Sequence, residues 1–176
     1  NYDQTDFGYD SSKRRNRQVT PGGTITRTVF DARGNVVKVY IGTDDTGATP
    51  SDPTGGGAEG NNMVLVTESE FDGGQDGGDN NLTKQTQHVD GSTTRVTSFL
   101  FDWRNRRTAT DGEVDFYEQT FYDNLDRVVK TDRRDTSAGG NLIARSETKF
   151  DDRGRVYRTI QYGVNPSNGS VGNALT

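Results

Sequence analysis

The chain has 176 residues, a net charge of −5 and no cysteine, and only 28% of its residues are hydrophobic. That apolar share lies far below the roughly 45–50% of an ordinary globular domain, which argues against one thick core. No run approaches the ~18 apolar residues of a membrane helix, no basic face is concentrated for nucleic acid, and disulfide scaffolds and thiolate zinc sites are excluded.

Low hydrophobicity alone would point to disorder. Here the net charge is modest, and Thr, Val and aromatic residues recur in alternating runs. A repeat structure that buries thin layers between neighbours accommodates both facts. The segment Asn1–Gln4 has no Met, basic region or apolar run, so no signal peptide is expected within the sequence, which reads as one portion of a longer array.

In chain order, six aromatic–Asp pairs mark the units: Tyr9-Asp10, Phe30-Asp31, Phe71-Asp72, Phe101-Asp102, Tyr122-Asp123 and Phe150-Asp151, spaced by 21, 41, 30, 21 and 28 residues. Asp is favoured at the first position of a type I turn, where its carboxylate accepts backbone N–H bonds, and Gly at the fourth. The predicted turn residues are Asp31 with Gly34, Asp102 with Asn105, Asp123 with Asp126, and Asp151 with Gly154. Gly, Asn and Asp are the residues that best tolerate left-handed backbone. The Tyr9-Asp10 copy departs from the pattern, with Lys13 where Gly is expected, and Asp72-Gly73-Gly74 is a divergent copy carrying an insertion.

The flanks predict strands. Before the turns lie Thr24–Phe30, Met63–Phe71, Thr94–Phe101, Phe116–Tyr122 and Leu142–Phe150; after them lie Val36–Ile41, Leu82–Gln87, Arg106–Thr110, Val128–Thr131 and Val156–Tyr162. Each unit is then one β-hairpin. In residues 144–150, Phe150 shares a face with Ala144, Ser146 and Thr148, while Arg145, Glu147 and Lys149 occupy the other, which predicts that the small and aromatic face points inward. A lone hairpin is marginal in water, so successive hairpins must pair edge to edge. The expected fold is all-β: consecutive antiparallel hairpins in a continuous curled sheet, as a solenoid, tube or shell wall. No helix is predicted. Residues 1–176 form a single array, interrupted by loop insertions at 42–62 and 73–80, and Asn165–Thr176 reads as another inter-hairpin linker.

Candidate chemistry is sparse. Asp72, Asp76 and Asp79 in a Gly-rich stretch offer spaced oxygen ligands of the kind calcium takes, although the spacing matches no EF-hand. Asn81-Leu82-Thr83 and Asn168-Gly169-Ser170 fit the N-glycosylation acceptor pattern, making Asn81 and Asn168 candidate sites. Trp103, at a hairpin tip, could stack on sugar. His88, the only histidine, has no second His or Cys with which to build a zinc site and reads as a strand residue near a turn. The repeated aspartates already have a turn-forming role, so no enzyme and no cofactor are expected.

The pattern aromatic-Asp-x-x-Gly-Arg-Val, clearest at Phe150-Asp151-Asp152-Arg153-Gly154-Arg155-Val156, resembles the tyrosine–aspartate (YD/RHS) repeat family. Phe30–Val36 and Tyr122–Val128 look like further copies, and the resemblance covers roughly residues 7–162. It implies a β-ribbon spiralling into a hollow shell or tube in large secreted or surface proteins, among them polymorphic toxins, insecticidal toxin complexes and teneurin-type adhesion proteins. Under it, the chain is a non-enzymatic structural segment of an extracellular or cell-surface protein, part of a fibre, tube or shell wall. Its partners would be neighbouring repeats or identical copies in a polymer. The alternatives are a surface module that binds glycan or cell-surface protein, and the encapsulating shell of a toxin whose activity lies elsewhere. Family members often end their shell in an Asp-Pro-x-Gly autoprotease motif. Asp52-Pro53-Thr54-Gly55 has those letters, but Gly56, Gly57, Ala58 and Glu59 follow and repeats continue beyond, so it reads as a loop.

Overall fold

The computed structural model describes residues 3–73 and 80–175. Among these residues there are thirteen strands and no helix, and the strands follow chain order in one open antiparallel sheet. Thr, Val and aromatic side chains suit a pleated, half-buried surface, and no stretch offers the period needed for a helical apolar stripe. Contacts divide the chain into two compact units, Asn1–Glu70 with Gln85–Arg95, and Phe71–Lys84 with Val96–Thr176.

The first unit holds β1 (Asp6–Tyr9), β2 (Arg15–Val19), β3 (Ile25–Phe30), β4 (Val36–Gly42), nearly all of β5 (Val64–Phe71) and the second half of β6 (Leu82–His88). Nearly all of β7 (Thr94–Phe101) belongs to the second unit, followed by β8 (Arg107–Gly112), β9 (Phe116–Tyr122), β10 (Val128–Arg134), β11 (Leu142–Phe150), β12 (Val156–Val164) and β13 (Val171–Leu175). The described part of the expected linker, residues 165–175, is therefore more than a linker. A turn closed by Gly169 N–H on the Asn165 carbonyl (2.8 Å) leads into β13, which pairs with β12.

Each aromatic–Asp pair described on both sides of its hairpin sits at a register slip. Tyr9 faces Arg15 after Gly8 has faced Arg17; Phe30, Phe101, Tyr122 and Phe150 repeat the pattern. One extra residue on the following strand (Asn16, Val37, Thr108, Val129 or Tyr157) forms a β-bulge, which sharpens the local twist. The tight turn and the slip together form one recurring device.

The buried side chains lie in thin layers, with Ile25, Val29 and Met63 in the first unit and Ala109, Tyr117 and Leu142 in the second. The inward face differs from the alternation reading at β11. Arg145 points onto Asp132, which is only 1% exposed, while Ala144 is exposed. Arg145 donates Nε to Asp132 Oδ1 (2.7 Å) and Nη2 to Oδ2 (2.6 Å). Alternation fixes which residues share a face, but a bidentate ion pair can make the charged face the drier one.

The insertion at 42–62 folds back onto its own unit. Asp45 accepts Arg17 Nε (2.6 Å) and Nη2 (3.0 Å) and Arg27 Nε (2.7 Å), tying β2 and β3 together. Asn61 Nδ2 holds the carbonyls of Thr46 (2.9 Å) and Pro53 (3.0 Å), and Pro53 is fully buried. At Gly55 (φ +62°) a Cβ would lie 2.8 Å from Thr46 O, so only glycine permits this crossing. The insertion at 73–80 falls mostly in residues 74–79, outside the described residues.

Candidate functional site

The bends carry the most regular chemistry in the chain. In the Asp31 bend, the N–H groups of Arg33 (2.9 Å) and Asn35 (2.8 Å) donate to Oδ1, Gly34 N–H donates to the Asp31 carbonyl (3.2 Å), and Asp31 N–H donates to the Asn35 carbonyl (3.0 Å). The bends at Asp102, Asp123 and Asp151 repeat all four bonds. Their fourth residues take left-handed backbone: Gly34 at φ 96°, Asn105 at 62°, Asp126 at 62° and Gly154 at 78°. Lys13 joins them at φ 66°, and Asp10 accepts the N–H groups of Ser12 and Arg14 (both 2.9 Å). The copy whose sequence departs from the pattern thus has the same bend geometry.

The residue after the left-handed position stands in the repeat pattern, but sequence reasoning assigned it no role. It is Arg14, Arg106, Arg127 or Arg155, and each donates Nε to the second carboxylate oxygen of its own bend at 2.7–2.8 Å. Asn35 Nδ2 does the same for Asp31 (2.9 Å), and Asn81 Nδ2 for Asp72 (3.0 Å). The signal was available as an Arg four residues after the Asp in four of the six copies. These bonds hold the bend carboxyls below the usual carboxylate range. Burial pushes Asp10, Asp102 and Asp123 up, but the donors more than offset it; at Asp31 and Asp151 the donors from Asn35 and Arg155 dominate outright.

The same guanidinium also reaches the next bend. Arg14 lies 4.6 Å from the Phe30 ring centroid, Arg106 lies 4.7 Å from Tyr122, and Arg127 lies 4.3 Å from Phe150. Arg14 Nη1 donates to the Asp31 carbonyl (3.0 Å) and Arg106 Nη1 to that of Asp123 (3.1 Å). Registry explains the recurrence. The pairs Arg17↔Arg27, Ala109↔Gln119 and Lys130↔Glu147, each extended by three residues, place Arg14 opposite Phe30, Arg106 opposite Tyr122 and Arg127 opposite Phe150. Each Arg thus closes its own bend and clamps the following one, through charge-assisted bonds and cation–π contact. In the Asp72 copy, Asn81 Nδ2 reaches Asn105 Oδ1 instead (3.0 Å).

The remaining candidates are scattered. Asp72 accepts the N–H groups of Asn80 (2.8 Å) and Asn81 (3.2 Å). Its proposed calcium partners Asp76 and Asp79 lie outside the described residues, and among the described residues no cluster of three or more metal-binding side chains occurs. Asn81 uses its amide nitrogen on Asp72 and Asn105, whereas Asn168 is exposed in the β12–β13 turn. His88 ends β6 with Nε2 shielded from solvent. Trp103 is 70% exposed, with Arg104 over its ring at 4.7 Å. In Asp52-Pro53-Thr54-Gly55 the carboxylate is committed to Thr54 and Gly56 N–H groups (3.1 and 2.8 Å), as in a loop cap. A groove of about 400 Å³ is lined by Leu82, Phe99, Phe101, Asn105, Arg107 and Tyr122.

No protein-family model matches the chain, and no curated protein matches it. Solved structures similar to it include a TcdB2-TccC3 crystal structure (12% identity, 97% of this chain, 10% of that chain, TM-score 0.43). Another is the same pair without its hypervariable C-terminal region (11% identity, 97% of this chain, 10% of that chain, TM-score 0.43). A third is a Tc holotoxin pore of Photorhabdus luminescens (10% identity, 92% of this chain, 6% of that chain, TM-score 0.37). The chain spans a tenth or less of the length of these matches.

Proposed function

We propose that this chain is a non-enzymatic structural segment of a large extracellular or cell-surface protein, a stretch of fibre, tube or shell wall built from repeated hairpins. The observation that carries this reading is the recurring Arg clamp at Arg14–Phe30, Arg106–Tyr122 and Arg127–Phe150. Such a lock repeats with the hairpins, so it stiffens a sheet of any length; a catalytic site would be unique. The aspartates that could serve acid–base chemistry accept their own bend's donors, and their lowered pKa suits permanent anions and not proton carriers. The partners are neighbouring repeats or identical copies, and no cofactor enters.

The test is electron microscopy of the native full-length protein beside a variant carrying R106N and R127N. Asn keeps the bend bond, as Asn35 does, but removes the clamp. The expected result is a regular wall or fibre that loosens in the variant. An unchanged particle, or a catalytic activity abolished by either substitution, would contradict the reading.

A second reading, a glycan-binding surface, is favoured by exposed Trp103 and by the groove between Phe99, Phe101 and Tyr122. Flat aromatic faces beside Asn105 and Arg107 offer the mix of stacking and hydrogen bonding that sugars require. A glycan array read with W103A and F101A controls separates this reading from the first.

A further inference from the structure

The Asp102 bend departs from its neighbours at three positions that meet in one place. Three residues before the bend aspartate stand Thr28, Thr120 and Thr148 in other repeats, and five residues after it stand exposed Val36, Val128 and Val156. At Asp102 these positions hold Phe99 and Arg107. Arg107 faces Phe101 across the register slip, as Val36 faces Phe30 and Val128 faces Tyr122. Three hairpins close with Thr and Val here, so neither the turn nor the bulge requires the exchange. The third departure is Asn81, which stands where arginine would clamp Phe101 and bonds Asn105 instead. Phe30, Tyr122 and Phe150 each lie under a guanidinium, whereas Phe101 has no cation over its ring among the described residues.

All three positions border the groove of about 400 Å³, which lies within the second unit. Arg107 stacks over Phe99 at 5.6 Å, and a stacked guanidinium keeps its donors in the plane of the group. Among the described residues those donors have no partner, while neighbouring Arg106 is committed to Asp102. Asn105 Oδ1 accepts Asn81, which leaves Asn105 Nδ2 as a second unmet donor among the described residues. No carboxylate lines the groove, and the Tyr122 hydroxyl donates to the Arg107 carbonyl (2.9 Å). The groove therefore offers an uncovered ring, one unpaired positive charge and hydrogen-bond donors. The first bend makes the same exchange, Phe7 with Arg15 (5.1 Å), but the groove beside Arg15 is walled largely by Gln18, Thr26 and Thr28 in place of rings.

We propose that this groove binds an acidic oligosaccharide through a uronic acid residue. The C–H face of the sugar stacks on Phe101, its carboxylate takes the Arg107 fork, and a hydroxyl accepts from Asn105 Nδ2. A neutral sugar would leave Arg107 unmatched, whereas a carboxylate meets a guanidinium with two parallel bonds. The arginines that close the bends hold carboxylates in the same chain, Arg106 on Asp102 at 2.7 Å among them.

This inference rests on the glycan-binding reading above and names its ligand class, and the two can fail separately. The native full-length protein is titrated calorimetrically with oligomers of galacturonate, mannuronate and glucuronate-containing disaccharide units. Their methyl esters, which keep the rings and remove the charge, and a sulfated oligosaccharide of equal length are run beside them. At least one acid oligomer is expected to bind, with its ester about tenfold weaker and its affinity falling as salt rises. R107V restores the residue used by three other repeats, so its circular dichroism should match the wild type. It is expected to weaken the acid oligomer about tenfold and leave the ester unchanged. If R107V is misfolded, R107Q takes its place with the same expected loss. An ester bound as tightly as its acid, a charge variant binding the acid like wild type, or a sulfated oligosaccharide preferred over every uronate overturns the assignment. Neutral oligosaccharides bound in an F101A-sensitive way, with no preference for acid, would overturn it and leave the glycan-binding reading standing. No oligosaccharide bound at all would overturn both.

Discussion

Arg127 closes the Asp123 bend with its Nε at 2.7 Å from Oδ2 and covers the Phe150 ring of the following bend at 4.3 Å. One side chain thereby fixes a turn and the distance between two turns. The lock between bends needs aspartate at the bend, arginine four residues later and an aromatic residue in the next repeat, whereas the bend alone also closes with Asn35 in place of arginine.

Arginine is required here for its shape as well as its charge. Replacing Arg106 or Arg127 by Lys keeps the cation but loses the planar fork and the stacking. Each substitution is expected to lower the unfolding free energy by about 1–2 kcal/mol, read from urea denaturation with an unchanged slope.

Lys13 occupies left-handed backbone at φ 66° where the other bends use glycine, asparagine or aspartate. Backbone of this hand costs an ordinary residue about 1 kcal/mol, so K13G is expected to stabilise the protein by roughly that amount. Gly34→Ala, at φ 96°, is expected to destabilise it. Thermal unfolding midpoints moving in opposite directions check both.

Asp45 receives Arg17 first and Arg27 next, and these bonds, outweighing burial, hold its pKa at about 2 against an ordinary 3.8. The folded carboxyl is the stronger acid, so its contribution is complete above about pH 4 and is lost as pH falls through about 2. That contribution is roughly 2 kcal/mol. Acid titration of stability is expected to show this loss in the wild type and a shallower one in D45N.

The buried Asp132–Arg145 pair makes a different prediction. Burial raises the Asp132 carboxyl, and Arg145, Lys130 and Arg134 more than reverse this, leaving it ionised. Removing one partner strands a charge, so R145M is expected to cost about 3–5 kcal/mol. D132L combined with R145M should recover most of that loss in denaturant unfolding, because no charge is then left buried.

Turn chemistry was legible because it is local: Asp31 and Gly34 announce their bend within five residues, and the strands follow from Thr, Val and aromatic alternation. Lys13 concealed an equivalent bend, since Asp10 and Arg14 hold the turn and impose left-handed backbone on a residue that does not favour it. The Asp45 bridge was illegible because its partners Arg17 and Arg27 lie 28 and 18 residues away. At Arg145 the pattern identified the correct face-mates but misassigned the inward side, because hydropathy cannot anticipate a carboxylate waiting on the adjacent strand.

The most direct test of the clamp is a double-mutant cycle on Arg127 and Phe150, using R127N, F150L and the combination. If the arginine locks consecutive hairpins, the two substitutions couple by about 0.5–1 kcal/mol in unfolding free energy. Strictly additive losses would mean that the ring and the guanidinium are merely neighbours, and the repeat would have no lock.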